Sequence, residues 1–427
     1  MQFEEQIIQE YNKSSQEDHQ ATLGFVSDRL AKKGIDTNEV ISKIQKLQIA
    51  VPSWALGSGG TRFGRFSIGG EPTSLEQKIE DIGLLHQLTQ ATDSVSLHIP
   101  WDIPSDTNAI KELAVKNGLS FDAVNSNTFQ DQSNQSFSYK FGSLCHVDKS
   151  VRDQAVAHNQ DVINIGNALG SKSMTVWLAD GSCFPGQMDF SRALENTMNS
   201  LIEIYNHMPS DWKLFVEYKP YEPNFYSTVI QDWGTSHMLA KYCGENAYSL
   251  VDLGHHLPNT NIEQIVSTLI WLGKLGGFHF NDSKYGDDDL TVGSVKPYQL
   301  FLIFNELVSG LEKATNKNPD PAWMIDASHN VKDPMEDLMQ SLEAIHLAYA
   351  QALIVDRVAL EEARLSSDVV RAQEILQEAY RTDVRSLVRE ARISQGGVID
   401  PVGFYRAQEV RNKFISERGE KTVATGL

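Results

Sequence analysis

The chain has 427 residues, 41% of them hydrophobic, and a formal net charge of -19. That apolar share supplies a substantial core and excludes wholesale disorder. The acidic excess speaks against nucleic acid, whose phosphate backbone is held by clustered Lys and Arg.

Residues 1 to about 45 read as helices, an N-terminal helical segment with Gln, Glu and Lys on its wet side. The first strand is expected over 47–52. It runs into a glycine-rich stretch, 57–63, whose spacing fits neither the P-loop nor the dinucleotide pattern, so it reads as a flexible loop. Leu75, Ile79, Ile82, Leu85 and Leu88 then recur at helical spacing. A second strand covers 95–101, a short helix passes through Ile110 and Leu113, and a third strand covers 121–125. The helix beginning near Ser150 stops at Gly170, a residue suited to a left-handed cap. The fourth strand, 174–178, precedes a helix around 194–205. Strands follow at 213–217, 248–252, 277–280 and 323–326, separated by helices at 231–243, at 261–273 and through Phe301, Phe304 and Leu307. A helix over 335–349 closes the set. From about Ala350 the pattern is helical again, with a break at Gly396-Gly397, and this tail is apolar enough to pack on the preceding domain or on another subunit.

Eight strand–helix units argue for an α/β chain whose residues 46–350 form a (β/α)8 TIM barrel, with a helical extension over 351–427. Such barrels carry their active sites at the C-terminal ends of the strands. The three cysteines, Cys145, Cys183 and Cys243, are far apart and odd in number, which argues against a disulfide framework or a Cys-rich zinc site. The start, Met1-Gln2-Phe3-Glu4-Glu5, lacks a secretory signal, and no stretch approaches a membrane span; a cytoplasmic protein with no membrane partner is expected.

Glu217, Asp252, His279 and Asp326 end four successive strands. Three carboxylates and one imidazole suit a hard or borderline divalent ion such as Mn, Mg or Co. His255, Asp287 and Asp289, on adjacent loops, form a second set that could hold another ion, with Glu217 bridging the two. Two ions roughly 4 Å apart clamp neighbouring oxygens of one substrate. Each residue also has a plainer reading. A lone Asp at a strand end is more often a helix cap, and His279 between two phenylalanines could be a satisfied core histidine. Asp287-Asp288-Asp289 could be a solvated acidic turn or a DxD pattern, and Lys219 could be a surface ion pair. At most one of His255 and His256 points inward from a strand end. Taken jointly, these positions favour metal. Trp54, Trp101, Phe129, Trp177 and Tyr221 gather at the same strand ends, as in a pocket where a sugar packs its apolar face on aromatic rings, and His98 joins them as a hydrogen-bonding partner or proton shuttle.

Several stretches carry a family likeness: 51–54, 59–63, 96–102, 125–129, 232–235, 251–261, 276–290 and 328–330. Over about residues 45–410 the chain closely resembles the broad-specificity bacterial L-rhamnose isomerases, a branch of the xylose-isomerase-like barrels. The resemblance implies a homotetramer, two divalent ions with Mn foremost (Co, Zn or Mg as substitutes), and interconversion of L-rhamnose with L-rhamnulose and of other aldoses such as D-allose with D-psicose. It assigns Glu217, Asp252, His279 and Asp326 to a structural ion and His255, Asp287 and Asp289, with Glu217 shared, to a catalytic one. Phe63 would reach into a neighbouring subunit's pocket. That family usually has His where Tyr218 stands and Gln where Ala327 stands; neither is a ligand, so the departures bear on sugar preference.

The residues leave a hydride shift and an enediol route both open, and the resemblance favours a metal-assisted hydride shift. His98 assists ring opening, Lys219 and the ions stabilise charge on O1 and O2, and Asp326 or Asp289 holds the water that carries the proton between those oxygens. A metal-dependent ketose 3-epimerase and a non-catalytic sugar-binding barrel stand as alternatives.

Overall fold

The computed structural model describes residues 1–57, 66–313, 318–327 and 331–422. Eight parallel strands form one sheet: β1 (Val51–Pro52), β2 (Ser94–Ile99), β3 (Ser120–Ser126), β4 (Ser173–Val176), β5 (Lys213–Glu217), β6 (Ala247–Asp252), β7 (Leu275–Phe280) and β8 (Ala322–Ile325). Each pairs with its neighbours in chain order. Backbone bonds from Ala50 N–H to the Trp323 carbonyl (2.7 Å) and from Ile325 N–H to the Ala50 carbonyl (3.1 Å) join the first strand to the last and close the barrel. The expected first strand is longer than the observed one, because Leu47 caps the preceding helix and pairing with the last strand begins at Ala50.

Helices return the chain between strands, as a parallel sheet requires. Their apolar stripes lie on the outward residues of the strands. Val95, Leu97, Phe278, Phe280 and Ile325 pack with Ile79, Leu85, Ile265, Leu269 and Phe304 on one side of the barrel. On the other, Val124, Met174, Val176, Leu214 and Val216 pack with Val156, Ile163, Leu201 and Leu239. Inside the barrel, Ala123, Phe215, Tyr248 and Leu250 fill a layer below the site. The interior below the site is therefore packed, as expected of such a barrel. A two-stranded antiparallel piece, Gly181–Ser182 with Ser227–Thr228, ties together the loops after β4 and β5; nothing in the strand periodicity foretold it.

Many of the acids are structural. Asp106, Asp148, Asp189, Asp232 and Asp333 each accept a backbone N–H at a helix start, where an anion also complements the helix dipole.

The helices beyond residue 353 pack on their own chain. Leu360, Ile375, Leu387 and Val388 share a cluster with Val26, Leu30, Val40 and Ile44 of the N-terminal helices. Phe404, Val410 and Phe414 join the barrel's own apolar cluster. Paired hydrogen bonds from Arg411 to Asp333 and from Arg418 to Asp81 fasten the last helix to the barrel. Among the described residues no single helix is long and apolar enough to cross a membrane. Cys145 and Cys243 are buried free thiols and Cys183 is exposed.

Candidate active site

A parallel barrel turns alternate residues inward. β5 ends in Lys213-Leu214-Phe215-Val216-Glu217, in which Phe215 faces the interior layer and Glu217 stands two residues above it. The same alternation brings Asp252 to the end of β6 and His279 to β7. All three are buried. Glu217, Asp252 and His279 each offer a ligand atom within 4.8 Å of the other two, and so do Asp252, His255 and Asp287. Asp252 thus belongs to both triads. Glu217, the expected bridge, also lies close to both imidazoles: its Oε1 is 3.0 Å from His279 Nδ1 and 3.3 Å from His255 Nδ1.

Asp326 stands just past β8, its Oδ2 3.7 Å from His279 Nδ1 and its side chain 27% exposed. Trp54 Nε1–H donates to Asp326 Oδ1 at 3.0 Å. Asp289 takes a left-handed backbone (φ 47°) and lies next to the second triad through Asn281, whose Nδ2 is 3.5 Å from Asp289 Oδ1. Lys219, expected at the substrate oxygens with a surface ion pair as the plainer alternative, is buried; its Nζ is 2.6 Å from Asp287 Oδ2, 3.2 Å from Glu222 Oε2 and 5.5 Å from the centre of the Trp177 ring. Both adjacent histidines are buried. His255 faces the triad, and His256 turns away to bond the Tyr218 hydroxyl at 2.8 Å.

Crowding carboxylates and imidazoles in a buried site shifts their proton affinities. Burial raises Asp252 to about 7; His255 opposes this, and the charges of Asp287, Glu217 and Asp326 add to it. Burial alone would lower His255 and His279, yet each is lifted to about 9: His255 by Asp252, Asp287 and Glu217, His279 by Glu217, Asp326 and Asp252. For Glu217, burial pushes upward and the two imidazoles outweigh it, so its pKa falls. The field here is strongly anionic and attracts cations. Asp252 Oδ2 is buried without a hydrogen-bond partner among the described residues, an uncommon state for a carboxylate oxygen and one that a cation would relieve. Oxygen and imidazole donors without thiolates fit hard or borderline divalent metals.

Beside the triads stands an aromatic wall. His98 stacks on Trp101 (centroids 4.0 Å apart) and meets Trp54 and Phe129 edge-on at 5.5 Å each, while Phe129 meets Trp177 at 4.8 Å. Burial, with smaller help from His158 and Lys78, holds His98 down to about 3, so its imidazole is neutral. His98 Nδ1 is buried with no partner among the described residues. Phe63 and the 328–330 stretch lie outside the described residues.

Two curated proteins align along nearly all of this chain. One, from Mesorhizobium japonicum and named "probable sugar isomerase", is 52% identical over 421 residues, 99% of this chain and 97% of that protein. The other, of the same name from Rhizobium meliloti, is 54% identical over 393 residues, 92% of this chain and 91% of its own length. The chain belongs to this sugar-isomerase family. No family model matches it. Among solved structures, an L-ribulose 3-epimerase aligns with a TM-score of 0.50 at 13% identity, covering 76% of this chain and 97% of its own. A 3-keto-D-glucoside 4-epimerase from E. coli aligns with a TM-score of 0.51 at 12% identity, covering 70% and 99%. At such low identity these likenesses establish the barrel fold alone.

In this member of the sugar-isomerase family, sequence reading passed over Asn281, whose Nδ2–H2 bonds Asp252 Oδ1 (3.0 Å) and the Asp326 carbonyl (3.1 Å). It also passed over Asp102 and Lys78, a fully buried ion pair beneath the aromatic wall. Asn281 lies within a run already marked by His279 and Asp282. Asp102 and Lys78 are separated by 24 positions and carry no mutual signal.

Proposed function

We propose that the protein is a metal-dependent aldose–ketose isomerase that converts L-rhamnose to L-rhamnulose and accepts related aldoses. The observation that carries this reading is the pair of ligand triads sharing Asp252, set against an aromatic wall. Glu217, Asp252, His279 and Asp326 would hold one divalent ion, and His255, Asp287 and Asp289 the other, with Glu217 and Asp252 both within reach of the two. When bound, Mn or a similar ion supplies Lewis-acid stabilisation of charge on neighbouring oxygens.

The residues do the rest. The wall of Trp54, Trp101, Phe129 and Trp177 packs the apolar face of the sugar and excludes water. Neutral His98 accepts the anomeric O1 proton through Nδ1 and returns it to the ring oxygen as the ring C1–O bond breaks. Hydrogen then moves with its electron pair from C2 to C1. Asp326 or Asp289 passes the O2 proton to O1, so that C2 becomes the carbonyl and C1 a hydroxymethyl group. Lys219, held at 2.6 Å from Asp287, places its ammonium where charge grows on the oxygens. Asp287 and Glu222 fix it there, which a flexible surface lysine lacks. The family membership supports an isomerase; the choice of rhamnose rests on the likeness in the sequence. A homotetramer in which Phe63 completes a neighbour's pocket belongs to the same proposal.

The test is turnover of L-rhamnose in deuterated water by chelator-stripped protein, before and after Mn is restored. Ketose should form only with Mn and carry little solvent deuterium at C1. Extensive deuterium there would exclude the hydride shift. Inversion at C3 of a ketose, with no aldose formed, would replace the isomerase reading with an epimerase.

A further inference from the structure

Beneath the aromatic wall lies an ion pair with no place in the chemistry above. Lys78, on the helix Leu75–Thr89, is fully buried, as is Asp102 just after β2. Nζ stands 2.7 Å from Asp102 Oδ1. Taking such a pair out of water is costly, and well-packed apolar residues in its place are often as stable or more so. Stability is therefore a weak reason for keeping this pair.

Its second carboxylate oxygen supplies one. Asp102 Oδ2 accepts the Ser53 hydroxyl at 2.5 Å and the His98 backbone N–H at 2.9 Å, and Asp102 N–H returns a bond to the His98 carbonyl at 2.9 Å. One carboxylate thus ties three separate segments together: the helix through Lys78, the turn 98–102, and the segment after β1. The turn carries His98 and Trp101, stacked at 4.0 Å. Ser53 adjoins Trp54, which meets His98 at 5.5 Å and bonds Asp326 through its indole. Neither Lys78, Ser53 nor Asp102 belongs to either ligand triad.

We propose that Lys78 and Asp102 are positioning residues for the sugar wall: the pair sets the mutual placement of Trp54, His98 and Trp101 and so governs sugar affinity, while leaving metal retention to the triads. Lys78 places a cationic donor against the Asp102 carboxylate in a dry site, and a carboxylate holds its two other donors more tightly than a neutral amide can. The sugar-affinity part rests on the isomerase reading above.

The test uses the full-length, Mn-saturated protein and three variants, Asp102→Asn, Lys78→Met and Ser53→Ala. The expected result for Asp102→Asn is a KM for aldose raised at least tenfold, with kcat within threefold of the parent and an unchanged calorimetric Kd for Mn. Ser53→Ala, which removes one hydroxyl and no charge, raises KM severalfold and keeps the test alive if the charge variants fail to fold. Tryptophan emission gives a second reading that needs no turnover. In Asp102→Asn and Lys78→Met it shifts to the red and acrylamide quenches it more readily, and a Trp54→Phe/Trp101→Phe background abolishes both changes. If the parent makes no ketose, the isomerase reading falls while the emission comparison still decides whether the pair holds the wall. An unchanged emission, a KM equal to the parent's, or Mn affinity falling in step with KM overturns the proposal.

Discussion

Asn281 offers the sharpest probe of how the site is held. One amide nitrogen bonds Asp252 Oδ1 at 3.0 Å and the Asp326 carbonyl at 3.1 Å, and it approaches Asp289 Oδ1 at 3.5 Å, so it touches residues from β6, from the loop after β7 and from the end of β8. Asn281→Ala removes these bonds without adding charge. A hydrogen bond to an ionised group contributes about 1.5–3 kcal/mol. Asp252 Oδ1 keeps its bond from Gly254 N–H at 2.7 Å, so the carboxylate stays tethered and the loss falls at the lower end of that range. Losing a group that orients metal ligands typically lowers metal affinity roughly 10–100-fold, which corresponds to about 1.4–2.7 kcal/mol. The assay is calorimetric titration of chelator-stripped parent and variant with Mn at pH 8, with far-UV circular dichroism to show that both are folded. A weakening of about 10–30-fold in at least one binding step is expected. A variant that binds Mn within twofold of the parent in both steps would refute the reading that Asn281 organises the ligands.

Two further outcomes follow from packing and from burial. A Cβ on Gly277 would stand 2.4 Å from the Ala322 carbonyl oxygen and 2.9 Å from Ala322 Cβ. Gly277→Ala must therefore separate β7 from β8, at a cost of about 1–3 kcal/mol, and it moves His279 two residues on. Urea unfolding should register the loss and Mn titration a weaker site, and parent-like values in both would refute the close approach. His346 is buried, donates Nε2–H to the Leu47 carbonyl at 2.8 Å, and is held by burial down to about 4. Because its folded pKa lies below the unfolded value of about 6.5, the stability it contributes is complete above pH 6.5 and is lost as pH falls from there toward 4, a total of about 3 kcal/mol. Urea unfolding at pH 7.5 and pH 5 should give a smaller drop for His346→Gln than for the parent, by about 2 kcal/mol; identical drops would refute the burial account.

Much of the scaffold can be read from the residues in order. The periodic helices and the apolar runs that end in Glu217, Asp252 and His279 imply a parallel barrel with ligands on one rim. This works because a strand buried on both faces must be apolar until it reaches the loop, where polar side chains first become affordable. The same rule gives no help with acids elsewhere. Asp106, Asp148, Asp189 and Asp232 look no different in sequence from Asp252, yet they cap helices. Nor does it place Lys219, whose burial against Asp287 and Trp177 depends on how two loops meet.

Local order along the chain thus determined the strands, the helices and the chemical kind of residue at each strand end, because period and propensity act over a few neighbours. Tertiary structure alone decided that Asp252 is common to both triads, that Asn281 bonds both Asp252 and the Asp326 carbonyl, that Lys78 meets Asp102, and that the C-terminal helices pack on their own barrel. Those facts depend on through-space distances of a few ångströms between residues tens to hundreds of positions apart, and closure of the barrel, rather than any local preference, sets such distances.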